Sequence, residues 1–108
     1  MTAGVTIVDP DTTYVDRGVE VGQDTVILPF TCLEGRTKIG KDCVIGPQTR
    51  IIDSQLVKGN LVESSLLRES EVGARCTVGP YAYLRPGTVL ADNVKVEIEN
   101  RADRPNSD

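Results

Sequence analysis

Histidine is absent from this 108-residue chain, and so is tryptophan. The first absence removes the side chain that most often serves as a general base near neutral pH. Aromatic residues make up only 4% of the chain, so any core must be aliphatic. No apolar run approaches the roughly 18 residues of a membrane-spanning helix. The N-terminus MTAGVTIVDPD has neither the basic region nor the apolar stretch of a secretory signal. A basic excess is also missing: 12 Lys and Arg stand against 16 Asp and Glu, a net charge of −4. That balance gives no footprint for nucleic acid, which needs a positive patch or stripe. The three cysteines, Cys32, Cys43 and Cys76, are odd in number and irregular in spacing. They read as reduced thiols of a cytoplasmic protein rather than as disulfides, and they make no zinc cluster. The length allows one domain with a modest core.

What the chain has instead is a repeat. Stepping by six from Val15 meets Val21, Ile27, Leu33, Ile39, Ile45 and Ile51, aliphatic every time. Four places after these positions stand the small or β-branched residues Val19, Thr25, Thr31, Thr37, Cys43 and Thr49. The period then shortens. IIDSQ (51–55), VESSL (62–66) and LRESE (67–71) are five-residue units, LVKGNL (56–61) lies between them, and a serine stands three after each short unit's lead: Ser54, Ser65 and Ser70. Period six resumes at Val72, Val78, Leu84, Leu90 and Val96.

A period of six matches no α-helix, whose apolar spacing is 3.6. It fits an all-β solenoid, a parallel β-helix with three short flat faces per turn. The lead aliphatic points inward, the small residue fills the corner, and Gly, Asp or Asn accommodates a positive φ there. At about 18 residues per turn and about 4.8 Å per rung, residues 15–96 make about four and a half turns. The predicted organisation is an N-terminal cap segment (1–14), the β-helix (15–96) and a charged C-terminal tail (97–108). The inward threonines read as core filler rather than as an exposed ice-binding ladder.

Other motifs fall to this frame. GRTKIGKD (35–42) approaches the phosphate-loop pattern, but Asp42 replaces the Ser or Thr that binds Mg²⁺. It also spans two hexapeptide units, where a strand–loop–helix context is needed. Asp9, Asp11 and Asp16 lack the spacing of a Ca²⁺ loop and read as capping and turn residues. Tyr81 and Tyr83 flank the inward Ala82, so both point outward and are candidates for a subunit contact.

The repeat resembles the left-handed parallel β-helix of the hexapeptide acyltransferases. GVTIVDPDTTYVD (4–16), VEVGQDTVILPFTCLEGRTKIGKDCVIGPQTRIIDS (19–54) and ESEVGARCTVGPYAYLRPGTVL (69–90) carry a closer resemblance. They are similar to the acetyltransferase domain of the bacterial bifunctional N-acetylglucosamine-1-phosphate uridyltransferase / glucosamine-1-phosphate acetyltransferase, over roughly residues 4–96. The left hand comes from that resemblance, against the usual right-handed crossover. So do a homotrimer with sites between subunits, acetyl-CoA as the acetyl donor, and Mg²⁺ in a uridyltransferase domain that nothing here resembles.

By the same resemblance Arg85, in LRPGT, contacts the sugar phosphate, a task suited to the guanidinium fork. The family's lysine one turn further on has no counterpart, since the chain reads KVEIENRAD and Glu99 falls near its place. The family's histidine base is missing too, as are the three His ligands of the zinc carbonic anhydrases that share this fold. Two expectations follow. One is a truncated β-helix that trimerises, needs no cofactor of its own and keeps a weak sugar-phosphate contact without acetyl transfer. The other is an acetyltransferase whose site another chain completes.

Overall fold

An aliphatic residue at every sixth position can face one interior only if the chain turns a corner after each. The computed structural model, which describes residues 4–96, shows that path. Sixteen short strands, numbered in chain order, fall into three parallel sheets. Sheet A comprises β1 (Thr6–Ile7), β4 (Val26–Ile27), β7 (Val44–Ile45), β10 (Leu61–Val62), β13 (Thr77–Val78) and β16 (Lys95–Val96). Sheet B comprises β2 (Tyr14–Val15), β5 (Cys32–Glu34), β8 (Arg50–Ile52), β11 (Leu66–Arg68) and β14 (Tyr83–Leu84). Sheet C comprises β3 (Glu20–Val21), β6 (Lys38–Ile39), β9 (Gln55–Lys58), β12 (Glu71–Ala74) and β15 (Val89–Leu90). This is the predicted β-helix.

The register stacks each lead aliphatic on its counterpart. Ile7, Ile27, Ile45, Val62, Val78 and Val96 form one interior column. Val15, Leu33, Ile51, Leu67 and Leu84 form the second, and Val21, Ile39, Leu56, Val72 and Leu90 the third. Ile27, Leu33, Ile45, Ile51, Val62, Leu67 and Val78 are wholly buried. Each such side chain contributes about 1.5–3 kcal/mol relative to exposure.

The turn count exceeds the expectation of four and a half. The five-residue units shorten the rungs, so Ile45 pairs with Val62 and Val62 with Val78, 17 and 16 residues on. The leads from Val15 to Val96 therefore complete five turns. Thr6–Ile7, within the expected cap segment, adds a further strand against Val26–Ile27. Between it and β2, Pro10–Thr12 forms a 3-10 turn capped by Asp9, whose carboxylate accepts from the Asp11 N–H. The expected tail, 97–108, lies outside the described residues.

Corners obey a common rule. The residue before most of the inward small side chains takes a positive φ: Asp24, Asp42, Asp53 and Asn93 do so, as do Gly59 and Gly87, while at Thr37 the positive φ falls one residue earlier, at Gly35. Phe30, Gln48, Ser64, Glu69, Arg75 and Tyr81 do so as well, which residue type alone would not suggest. A left-handed conformation costs such residues about 1–2 kcal/mol. A hydrogen bond between corners offsets it. Gln48 N–H donates to Pro29 O (3.2 Å), Ser64 N–H to Pro47 O (2.9 Å) and Tyr81 N–H to Ser64 O (2.9 Å). Glycine after a lead has a different reason: a Cβ on Gly40 would run into the Val57 carbonyl.

The buried hydroxyls are more than filler. Thr31 and Thr37 donate to carbonyls three residues back, Leu28 O and Glu34 O, both at 2.8 Å. In the five-residue units the corner is one residue tighter. Serine there reaches two residues back, to Ile52 O from Ser54, Glu63 O from Ser65 and Arg68 O from Ser70. Several oxygens also accept an N–H from the next rung: Thr25 from Cys43 (3.2 Å), Ser54 from Ser70 (3.1 Å) and Ser65 from Ala82 (3.1 Å). Asn60 does the same for Cys76, at 2.7 Å.

Two urea titrations test this division of labour. Ile45→Ala should lower unfolding stability by about 2–5 kcal/mol through cavity formation. Thr25→Val, close in volume, should lower it by about 1–3 kcal/mol because the Cys43 N–H loses its acceptor. A neutral Thr25→Val would reduce the interior hydroxyls to space filling.

Candidate functional site

Sheet B differs from the other faces. Its outward side chains lie in two columns. Nearer the A–B corner run Tyr14, Cys32, Arg50, Leu66 and Tyr83. Nearer the B–C corner run Asp16, Glu34, Ile52, Arg68 and Arg85, placed by the same register. The chain has three tyrosines and one phenylalanine, and all four stand exposed on this face or its corner. Exposure is 56% for Tyr14, 60% for Phe30, 66% for Tyr81 and 52% for Tyr83.

Tyr81 and Tyr83 thus flank a buried Ala82 and both face outward, though only Tyr83 lies in a strand. Tyr81 sits at the corner, over Ser64, Gln48 and Phe30. Between Phe30 and Tyr81 a shallow groove runs past Cys32, Gln48, Arg50 and Leu66. Across the corner, sheet A presents Thr6, Val26, Val44, Leu61 and Thr77, an uncharged column as far as Lys95. Isolated apolar side chains on a surface are ordinary; contiguous apolar faces mark contacts. Periodicity alone had located Tyr81 and Tyr83, but not the gathering of Tyr14 and Phe30 beside them.

Charges on sheet B are mostly committed. Arg50 donates two hydrogen bonds to Glu34, Nε to Oε2 at 2.7 Å and a terminal nitrogen to Oε1 at 3.1 Å. The contact holds the Arg50 guanidinium above its ordinary range. The Tyr14 hydroxyl donates to Asp16, which also accepts the Gly35 N–H at 2.8 Å. Those bonds, the phenol's first, hold the Asp16 carboxyl below its usual range, and the same contact raises the Tyr14 phenol.

Arg85 projects from the exposed turn after β14. Its carbonyl accepts from Thr88 N–H (3.1 Å), Thr88 Oγ1 (2.7 Å) and Ser70 Oγ (3.1 Å), which anchors the backbone there. Glu99, the residue near the family lysine's place, lies outside the described residues. The phosphate-loop near miss spans β6 and its corners and leads into strand β7, with no helix. Asp9 caps a turn and Asp16 ties the corner at Gly35. Among the described residues no three His, Cys, Asp or Glu side chains gather as a metal site, and no helix is long and apolar enough to cross a membrane.

Three parallel faces, stacked inward aliphatics and hydrogen-bonded corners define a hexapeptide-repeat, left-handed parallel β-helix. The chain belongs to the family described as the GMPPB C-terminal domain, which matches residues 9–103. It is 48% identical over 104 residues to the bifunctional protein GlmU of Desulfitobacterium hafniense (strain DSM 10664 / DCB-2), covering 93% of this chain and 23% of that protein. To the GlmU protein of Caldanaerobacter subterraneus subsp. tengcongensis it is 53% identical over 90 residues, 83% of this chain and 20% of the relative. The chain thus spans about a quarter of the curated relatives it matches, and the resemblance to part of the acetyltransferase domain is borne out. Among solved structures, the acetyltransferase domain of PglB from Neisseria gonorrhoeae FA1090, in complex with acetyl coenzyme A, shares the fold. Its TM-score is 0.82 at 16% identity, covering 87% of this chain and 46% of that one.

Two measurements test the site's chemistry. All three cysteines are free; Cys32 is half-buried, Cys43 and Cys76 are buried, and burial pushes the Cys43 thiol up. A thiol reagent should therefore titrate one cysteine in the native protein and all three after denaturation. A carboxyl titration followed by NMR should show Asp16 ionising below the ordinary range. Tyr14→Phe should move it part of the way back, since the Gly35 N–H remains. A depressed carboxyl stabilises the fold above its unfolded pKa, and that contribution fades as pH falls through the folded value. The stability gap between wild type and Tyr14→Phe should accordingly narrow in acid.

Proposed function

We propose that this β-helix is the trimer-forming, sugar-phosphate-contacting part of a glucosamine-1-phosphate acetyltransferase, acting in the cytoplasm, and that it transfers no acetyl group unaided. The observation that carries the reading is the concentration of every aromatic on sheet B and its corner, beside a sheet A whose outward column is uncharged from Thr6 to Thr77. A three-fold ring is a heterologous assembly, in which each subunit presents two different patches. Two apolar faces meeting at one corner supply such a pair. Tyr81 and Tyr83 then lie in the contact. Arg85, at the far edge of sheet B, lies at its rim, where it meets the phosphate of the sugar.

Acetyl transfer to the sugar's amine needs a base for the ammonium proton and donors at the thioester carbonyl. No histidine exists in this sequence, and the described residues assemble no alternative base beside Arg85. The second reading, acetyl transfer at a site completed by another chain, draws on the relatives: this chain corresponds to only 23% of the Desulfitobacterium protein.

Light scattering should report a trimer of about 35 kDa, three copies of an 11.7 kDa chain. Tyr83→Lys should lower that mass. A monomer in the wild type at micromolar concentration would end the assembly reading. Incubation with glucosamine 1-phosphate and acetyl-CoA should release no thiol above background; steady turnover by the chain alone would overturn the claim of inactivity.

A further inference from the structure

We infer that Arg68 and Arg85 form a two-guanidinium site for a phosphate monoester, with Arg68 as the second cation of the sugar-phosphate contact. This rests on the reading of Arg85 given above. Leu67 pairs with Leu84 in register, so the residues that follow them, Arg68 and Arg85, occupy adjacent rungs of one outward column. Their backbones are about 4.8 Å apart. Among the described residues the column reads Asp16, Glu34, Ile52, Arg68, Arg85. Ile52 separates an acidic half from a basic half, and Glu34 is already held by Arg50. A dianion bound over the two rungs would accept hydrogen bonds from both guanidinium groups.

The two positions are also held together. The Ser70 hydroxyl, 1% exposed, lies 2.8 Å from the Arg68 carbonyl and 3.1 Å from that of Arg85. Thr88 holds the Arg85 carbonyl from its other side. The stems of both guanidinium groups therefore start from fixed points, which lowers the ordering cost of gripping an anion. Among the described residues, a Cβ built on Gly87, at the corner beside Arg85, would meet nothing within 4 Å. Glu69, one rung below Gly87, is exposed at the preceding corner. Each fork can engage phosphate oxygens bidentately, so two forks on adjacent rungs suit a terminal phosphate.

Calorimetric titration of the full chain with inorganic phosphate and with glucosamine 1-phosphate tests this. Arg68→Ala and Arg85→Ala should each weaken both ligands by about tenfold or more, as expected for loss of a charged hydrogen-bonding partner. Arg68→Lys, which keeps the charge but not the fork, should lose less. Wild-type affinity in a folded Arg68→Ala, with binding abolished in Arg85→Ala, would overturn the pair and leave the single-arginine site standing. Equal affinity of the wild type for glucosamine 1-phosphate and inorganic phosphate, with both alanine variants weakened, would uphold the pair and remove the sugar from the reading. No binding of either ligand by the wild type would overturn both.

Discussion

Aliphatic side chains stacked directly over one another, rung upon rung, are the interaction on which the rest of this molecule depends. Each lead residue contacts its counterparts about 4.8 Å above and below, and it does so only if every turn keeps the same register. Ile27 over Ile45 over Val62 is one such column. Because contacts run between neighbouring rungs, stability is close to a sum of rung and interface terms. The corners are subordinate to that demand. They take positive φ even at Phe30 and Tyr81, because the register requires the chain to turn there and hydrogen bonds between corners offset the strain.

The shortened units show how strictly the stacking is kept. Removing one residue from a unit would throw later side chains out of register if the corner did not tighten. Serine at 54, 65 and 70 accompanies the tightening, its hydroxyl bonding the carbonyl two residues back where threonine at 31 and 37 bonds three back. The interior then continues from Leu67 to Val72 to Val78 without a gap. The same shortening places Arg85 one rung above Arg68, with Ser70 between their carbonyls. A device of the core thereby shapes the surface.

Since inward positions are dictated by stacking, the outward ones are free to carry function, and they are distributed unevenly. Sheet B and its corner with sheet A take every aromatic residue, while the outer column of sheet B passes from carboxylates to arginines. Sheet A is nearly uncharged along one column. The proposed assembly and anion contact draw on that asymmetry: an apolar corner between A and B for the one, and the two arginines at the far edge of B for the other.

The period-six pattern by itself determined the β-helix, the identity of nearly every buried residue and the outward aim of Tyr81 and Tyr83. Those properties follow from local alternation and from which side chains water excludes. The number of turns was legible only in part. It depends on how tightly a five-residue unit closes, and Thr6–Ile7 has no lead-residue spacing to announce it. The corners taken by Phe30, Gln48 and Tyr81 were hidden, because residue type argues against positive φ and only the neighbouring rung supplies the compensating bond. Most of the candidate site was hidden for the same reason. Tyr14, Phe30 and Tyr83 stand far apart in the chain, as do Glu34 and Arg50, and Arg68 and Arg85 are separated by a whole turn. Spacing in sequence names the face each residue occupies; only the register between rungs, a tertiary property, decides which of them meet.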